Sequence, residues 1–336
     1  MTERSFTAGR LLRIVFPCAV LLAVVLLITP WIGSTNVSWR RVWDGASPDK
    51  EIFFLVRLPR ILFAALVGGA LAVAGVLFQA ILRNSLATPF TLGISSGSSL
   101  GAVVAIWLGL DLVVLGFPVV ILSAFAGALL TILLVFAIAR SEHGLPTVTL
   151  LLAGVTLNLV FSAMVLILLY ASNFTQSFMM LRWMMGSLDG IDYSKLASIV
   201  PLVLAAIGVL LWNAHGLNPL AGGEEWASSR GVDVRRVVKI GYLAGSILTG
   251  AVTAFSGPIG FVGLIVPHSI RLIAGPDNRI LIPASFFAGA AFLVVCDTVA
   301  RTLLAPMEIP VGAITALLGG PFFIVLLKRR RRELFL

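Results

Sequence analysis

Apolar residues in this chain come in long unbroken runs, separated by short polar or Gly/Pro-marked breaks. Strict alternation would predict half-buried strands. Continuous runs of about 18 residues or more predict helices long enough to cross a hydrocarbon layer roughly 30 Å thick. Inside lipid every backbone N–H and C=O has to be paired within the chain, which leaves helices or a closed barrel, and the missing alternation selects helices. The pattern predicts spans at residues 11–32, 58–81, 91–110, 114–139, 148–171, 194–213, 237–255, 258–274, 281–303 and 311–328. The expected fold is all-α: a polytopic membrane protein of about ten helices, with residues 1–336 forming one transmembrane domain.

Small residues crowd several spans, as in Gly68, Gly69, Ala70, Ala72, Ala74 and Gly75. They let helix backbones approach closely where lipid offers no hydrophobic drive to pack. The chain also echoes itself. A pair of arginines, a small-residue helix and a Pro-containing turn run from Arg57 to Pro89 and again from Arg235 to Pro267. The first copy starts on one side of the membrane and the second on the other, which predicts an inverted repeat with halves at about 57–171 and 235–328.

Composition agrees, with 59% hydrophobic and 12% charged residues and a mean hydropathy of +1.06, against roughly 25% charged in ordinary soluble domains. A net charge of +9 raises nucleic acid as a partner, but no basic face with interleaved aromatics is present, and none is expected. The charge follows the membrane instead. With the N-terminus inside, Arg4, Arg10, Arg13, Arg83, Arg140, Arg230, Arg235, Arg236, Lys239, Arg271, Arg279 and Lys328 to Arg332 fall on the inner side. Arg40, Arg41, Lys50, Arg57, Arg60, Arg182, Lys195 and Arg301 fall on the outer side. The first set is twice the second, so both termini are expected in the cytoplasm. No small-x-small cleavage site follows the first run, which is read as a retained helix. Cys18 and Cys296 lie in apolar segments and read as packing residues without disulfide or metal roles.

Three features exceed what a plain bundle needs. Arg57 and Arg60 stand at an outer boundary, against the charge rule. Asp297 is the one carboxylate well inside a span, and Arg301, one turn on, is its expected partner. The polar stretch at about 214–236 is too long for a tight helix–helix turn and too short for a domain. Met179, Met180, Met184 and Met185 read as packing, and His268 as a helix-end residue, because a metal site needs several converging ligands. No G-x-x-x-x-G-K-[ST] loop occurs, so no ATP site and no catalytic residue is assigned.

Four segments resemble the FecCD-type permeases of ABC importers. They are Arg57-Leu-Pro-Arg60 with Gly68-Gly-Ala, Gly75, Gln79, Arg83-Asn-Ser-Leu-Ala87 and Pro89; Leu150-Leu-Leu-Ala-Gly154 with Trp183 and Gly186-Ser-Leu; Gly223-Glu-Glu with Arg230-Gly-Val; and Gly257-Pro-Ile-Gly-Phe-Val-Gly-Leu-Ile-Val-Pro-His268 with Arg271, Gly275, Asp297, Arg301, Glu308-Ile-Pro-Val-Gly312 and Gly319-Gly-Pro-Phe-Phe323. The chain departs from the family's pattern at Ser85, where Pro is usual, and at Arg230, where Leu is usual.

The resemblance implies a permease that works with a second copy of itself, two ABC ATPase subunits and an external substrate-binding protein, in the lipid of a bacterial inner membrane. Arg57, Arg60 and Arg301 would receive acidic residues of the binding protein. Gly223, Glu224, Glu225, Ala227, Arg230 and Gly231 would belong to coupling helices seated on the ATPase. Asn84, Leu86, Thr147 and Val148 would form a cytoplasmic gate, although helix capping and packing explain each of them as well. The implied cargo is an iron(III)-siderophore chelate, with haem or vitamin B12 as alternatives; no resident cofactor is expected. An ion-coupled secondary transporter would instead show several paired carboxylates at midplane.

Overall fold

The computed structural model describes residues 7–141 and 145–334; Arg4, and the side chains of Arg329 to Arg332, lie outside that description. In chain order the helices are α1 (Ala8–Ile28), α2 (Trp39–Trp43), α3 (Asp49–Glu51), α4 (Leu58–Ile81), α5 (Ile94–Trp107), α6 (Val119–Ala139), α7 (Thr147–Ala171), α8 (Phe174–Met184), α9 (Tyr193–Leu220), α10 (Glu224–Ser229), α11 (Val234–Ser256), α12 (Val262–Ala274), α13 (Asn278–Thr302) and α14 (Val311–Leu334). Seven of them, with their flanking turns, are long and apolar enough to cross a membrane: α1, α4, α6, α7, α9, α11 and α13. The apolar helices α5, α12 and α14 are shorter. Each expected span therefore has its helix.

α4 is the hub. In its most apolar window 94% of residues are buried, against 6% for α1, and it packs on α9, α11, α12 and α13. Glycine makes that crowding possible at two crossings. A Cβ on Gly68 would collide with the Gly289 backbone of α13, and one on Gly75 with the Gly263 backbone of α12. Beside the second crossing, Gln79 Nε2 donates to Gly263 O at 3.2 Å, a polar tie of the kind that holds helices together in lipid.

The structure corrects the expected elements in four places. Residues 113–118 form a two-residue antiparallel hairpin, β1 (Val113–Val114) with β2 (Phe117–Pro118), and the following helix starts only at Val119. The sixth span runs on to Leu220, through the first seven residues of the stretch read as loop, because Leu217 and Leu220 are buried and Asn213 and Asn218 find partners on other helices. An extra helix, α8, follows α7; its Asn173 and Gln176 form a reciprocal capping box. Pro267 and His268 lie inside α12, not in a turn or at a helix end.

The second half of the echo does not end in a turn at Pro267; instead Pro258, like Pro89, follows a long helix, and a residue in the left-handed conformation, Gly93 or Phe261, then opens the short helix α5 or α12.

Candidate functional site

The polar residues gather at two opposite ends of the bundle. At one end lie the three arginines. Just before α4 the chain takes a π-helical turn, Ile52–Arg57, and this wide turn places Arg57 and Arg60 on different neighbours. Arg57 is buried. It donates to Pro30 O at 2.8 Å, to Thr35 O at 2.5 Å and to Thr35 Oγ1 at 3.2 Å, and its guanidinium lies where a Cβ on Gly33 would be. Trp31 packs with ring centroids 4.6 Å from both Trp39 and Phe53, an aromatic cluster typical of a membrane–water boundary.

Arg60 faces α13. Its Nη2 donates to Asp297 Oδ1 at 2.9 Å, and Nε is 3.1 and 3.2 Å from the two Asp297 oxygens. The remaining nitrogen, Nη1, contacts Asp189 Oδ1 at 2.6 Å and Glu308 Oε2 at 2.8 Å. Arg301 is also buried; its Nε lies 3.0 Å from Asp297 Oδ2 without the alignment of a hydrogen bond, and its Nη2 donates to Thr298 Oγ1 at 3.3 Å. Asp297, 0% exposed, thus serves two guanidinium groups, of which Arg60 holds it the more firmly. The expected Asp297–Arg301 pair is present, but Arg60 as its main partner was missed, and so were the roles of Asp189 and Glu308. Only folding brings these acids to Arg60, each from a position more than 100 residues away in the chain.

Below this cluster three chain segments meet backbone to backbone. A Cβ on Gly186 would strike Pro258 O, one on Gly257 would strike Trp183 O, and one on Gly312 would strike Met185 O and crowd Pro258 O. Ser187 N donates to Ser256 O at 2.8 Å across the same junction. Beside it opens a cavity of about 550 Å³ lined by Arg60, Arg182, Met185, Asp189, Met307 and Glu308, among others.

At the opposite end α10 sits between α9 and α11. Gly223 and Gly231, both at positive φ, bracket it. Ala227 is buried and anchors it, while Glu224, Glu225 and Arg230 are exposed, with the Arg230 guanidinium 4.5 Å over the Trp226 ring. Arg83 Nη2 donates to Glu224 Oε1 at 3.0 Å, tying the turn after α4 to α10. Within that turn Asn84 Oδ1 accepts from Leu86 N at 2.9 Å. Thr147 and Val148 open α7, with Val148 exposed. Among the described residues no hydrogen bond joins Asn84 or Leu86 to Thr147 or Val148.

A clamp joins α9 to α13 nearby. Asn218 Nδ2 donates to Asp277 Oδ1 at 2.7 Å, Asn218 Oδ1 accepts from Asn278 N at 2.8 Å, and Arg279 Nη2 donates to Asp277 Oδ2 at 2.7 Å. Burial works to raise the Asp277 pKa, but hydrogen bonds from Arg279 and Asn218 outweigh it and hold the carboxyl below its ordinary value.

Residues 21–329 match the family profile of the FecCD transport family. This chain belongs to that family. Among FecCD relatives, the cobalamin import system permease protein BtuC of Halobacterium salinarum is 44% identical over 275 residues, covering 82% of this chain and 73% of the relative. The hemin transport system permease protein HmuU of Yersinia pestis is 40% identical over 318 residues, covering 94% of this chain and 95% of the relative. A solved structure described as an inward-facing conformation of a metal-chelate type ABC transporter superposes with a TM-score of 0.83 at 33% identity, over 94% of this chain and 99% of that one. This FecCD protein is a multi-pass ABC importer permease of the metal-chelate type.

Proposed function

We propose that this permease is the conduit through which a bulky metal chelate is imported across the cytoplasmic (inner) membrane. It works as two copies joined to two ATPase subunits and fed by an external substrate-binding protein. The arginine end then faces outward, and α10 and both termini face the cytoplasm. The observation that carries this reading is the placement of the two devices. A dense arginine–carboxylate cluster and an exposed short helix stand at opposite ends of one apolar bundle, so a partner on each side can grip the same rigid body.

Arg60 is the docking arginine with access from outside. Arg57 and Arg301, both buried, hold the surrounding backbone and Asp297 in place, and so set the cluster that a docking carboxylate meets. On the inner side, ATP-driven closure of the ATPase pair presses on Glu224, Glu225 and Arg230. The Arg83–Glu224 tie passes that displacement to the turn holding Asn84 and Leu86, which with Thr147 and Val148 forms the inner gate. This is a population shift, driven by differential binding of the two bundle conformations.

The names of two relatives bear on the cargo. Cobalamin and hemin are both metal-centred macrocycles, which moves the proposed cargo from an iron(III)-siderophore chelate to a metallated macrocycle. The test is uptake into proteoliposomes holding the permease, ATPase subunits and binding protein, with radiolabelled hemin, cyanocobalamin and a ferric siderophore in parallel. Concentrative, ATP-dependent uptake of one of the two macrocycles is expected; uptake of the siderophore alone reinstates the first cargo. Accumulation by the purified chain alone on a proton or sodium gradient would overturn the importer reading altogether.

A further inference from the structure

The proposed docking arginine is already engaged by acids of its own chain. Arg60 has carboxylates within hydrogen-bonding distance on three of its nitrogens, from Asp297, Asp189 and Glu308. An acidic group arriving from outside finds Nη1 already engaged and meets two like charges in its way. These three carboxylates are not equivalent. The Asp297 side chain is 0% exposed, whereas those of Asp189 and Glu308 are 35% and 40% exposed and share the single nitrogen Nη1.

We propose that Asp189 and Glu308 are exchangeable internal occupants of the docking site, which the binding protein's own carboxylate displaces from Arg60 Nη1, while Asp297 stays. This rests on the docking reading of Arg60 and adds a regulatory contact to it. The displaced groups have somewhere to go. Arg182, 67% exposed, lies with Nη2 3.7 Å from the other Asp189 oxygen and keeps that carboxylate paired once Arg60 is surrendered. Glu308 closes a stretch, Leu303 to Glu308, in which every residue is exposed and from which it can turn to water.

The placement gives the exchange a consequence. Asp189 lies three residues beyond Gly186 and Glu308 four before Gly312, so both acids sit on short arms that leave the same backbone junction. Both line the 550 Å³ cavity at this end of the bundle. In the free permease the two arms are pinned to α4 through Arg60 and hold the rim of the cavity together. Docking unpins both at once, so the rim loosens only where a binding protein is seated. A permease without its partner keeps this end fastened by its own side chains.

The test uses the full permease in nanodiscs and its cognate substrate-binding protein, free of cargo. Removing the internal competitors should tighten docking, by about three- to fivefold for Asp189→Asn or Glu308→Gln, the worth of a partly exposed ion pair. Asp192→Asn is the control for general electrostatics. It removes an acid in the same outer loop that pairs with Lys195 instead, and should leave the dissociation constant within about twofold. In the wild type, docking should speed hydrogen exchange in residues 187–192 and 303–310; in the Asp189→Asn/Glu308→Gln protein that exchange should be fast before docking. If both single variants dock no more tightly than wild type, or if Asp192→Asn tightens docking as much, or if docking leaves exchange in the two arms unchanged, the displacement mechanism is wrong. If Arg60→Gln leaves the dissociation constant unchanged, the docking reading fails first and the exchange with it.

Discussion

The two ends of the bundle are built on opposite electrostatic plans. At the arginine end a fully buried carboxylate binds two guanidinium groups, a third guanidinium is buried against backbone carbonyls, and three segments are locked backbone to backbone. At the α10 end the link between the turn and the short helix is one exposed ion pair, Arg83 with Glu224. Charge buried in a low-dielectric setting fixes a geometry, because losing one partner strands the other. Charge left in water fixes little and is cheap to rearrange. The difference teaches where rigidity and freedom are divided: buried charge fixes the geometry of the arginine end, and the exposed pair leaves the short helix at the α10 end cheap to shift.

The comparison breaks most sharply at Asp297. Asp297→Asn leaves Arg60 and Arg301 short of a buried counter-charge and should destabilise the protein by about 3–5 kcal/mol, read as a large fall in melting temperature in detergent. Arg57→Met should cost about 1–3 kcal/mol, since the Pro30 and Thr35 carbonyls lose their donor in a buried place. Gly33→Ala should mimic part of that loss by displacing the same guanidinium. Near the α10 end the α9–α13 clamp offers a pH test. Because the folded Asp277 pKa is depressed, its contribution is present above the unfolded value, about 3.9, and disappears as pH falls through the lower folded value. Asp277→Asn should abolish that acid sensitivity and cost about 1 kcal/mol at neutral pH. The smallest stability effect belongs to Arg83→Ala and Glu224→Ala, at most about 0.5–1 kcal/mol. Their transport rate should nevertheless fall severalfold at an unchanged melting temperature. An equal drop in both quantities would erase the contrast between the ends.

Much of this architecture was legible in the residues. Continuous apolar runs placed every long helix, because in lipid backbone pairing leaves no other local solution. The small residues of α4 announced its crossings at Gly68 and Gly75. Asp297 and Arg301 were found as a pair because four residues make one helical turn. What escaped was non-local. The partners of Arg60 come from positions 189, 297 and 308, and spacing along the chain carries no trace of them. Helix α8 escaped for another reason, since its mixed polar and aromatic composition looks like a loop; the Asn173…Gln176 capping box was the available signal. The overrun of α9 to Leu220 escaped because Asn218 reads as a turn residue until Asp277 and Asn278 engage it.

The junction at Gly186, Gly257 and Gly312 has a genetic corollary. At each of these positions a methyl group would land on a carbonyl oxygen of another segment, so no single-codon change can be absorbed by moving one side chain aside. A saturation library scored for import should return glycine almost alone at all three codons. Second-site revertants of any one should map to the segment it touches, far away in the gene.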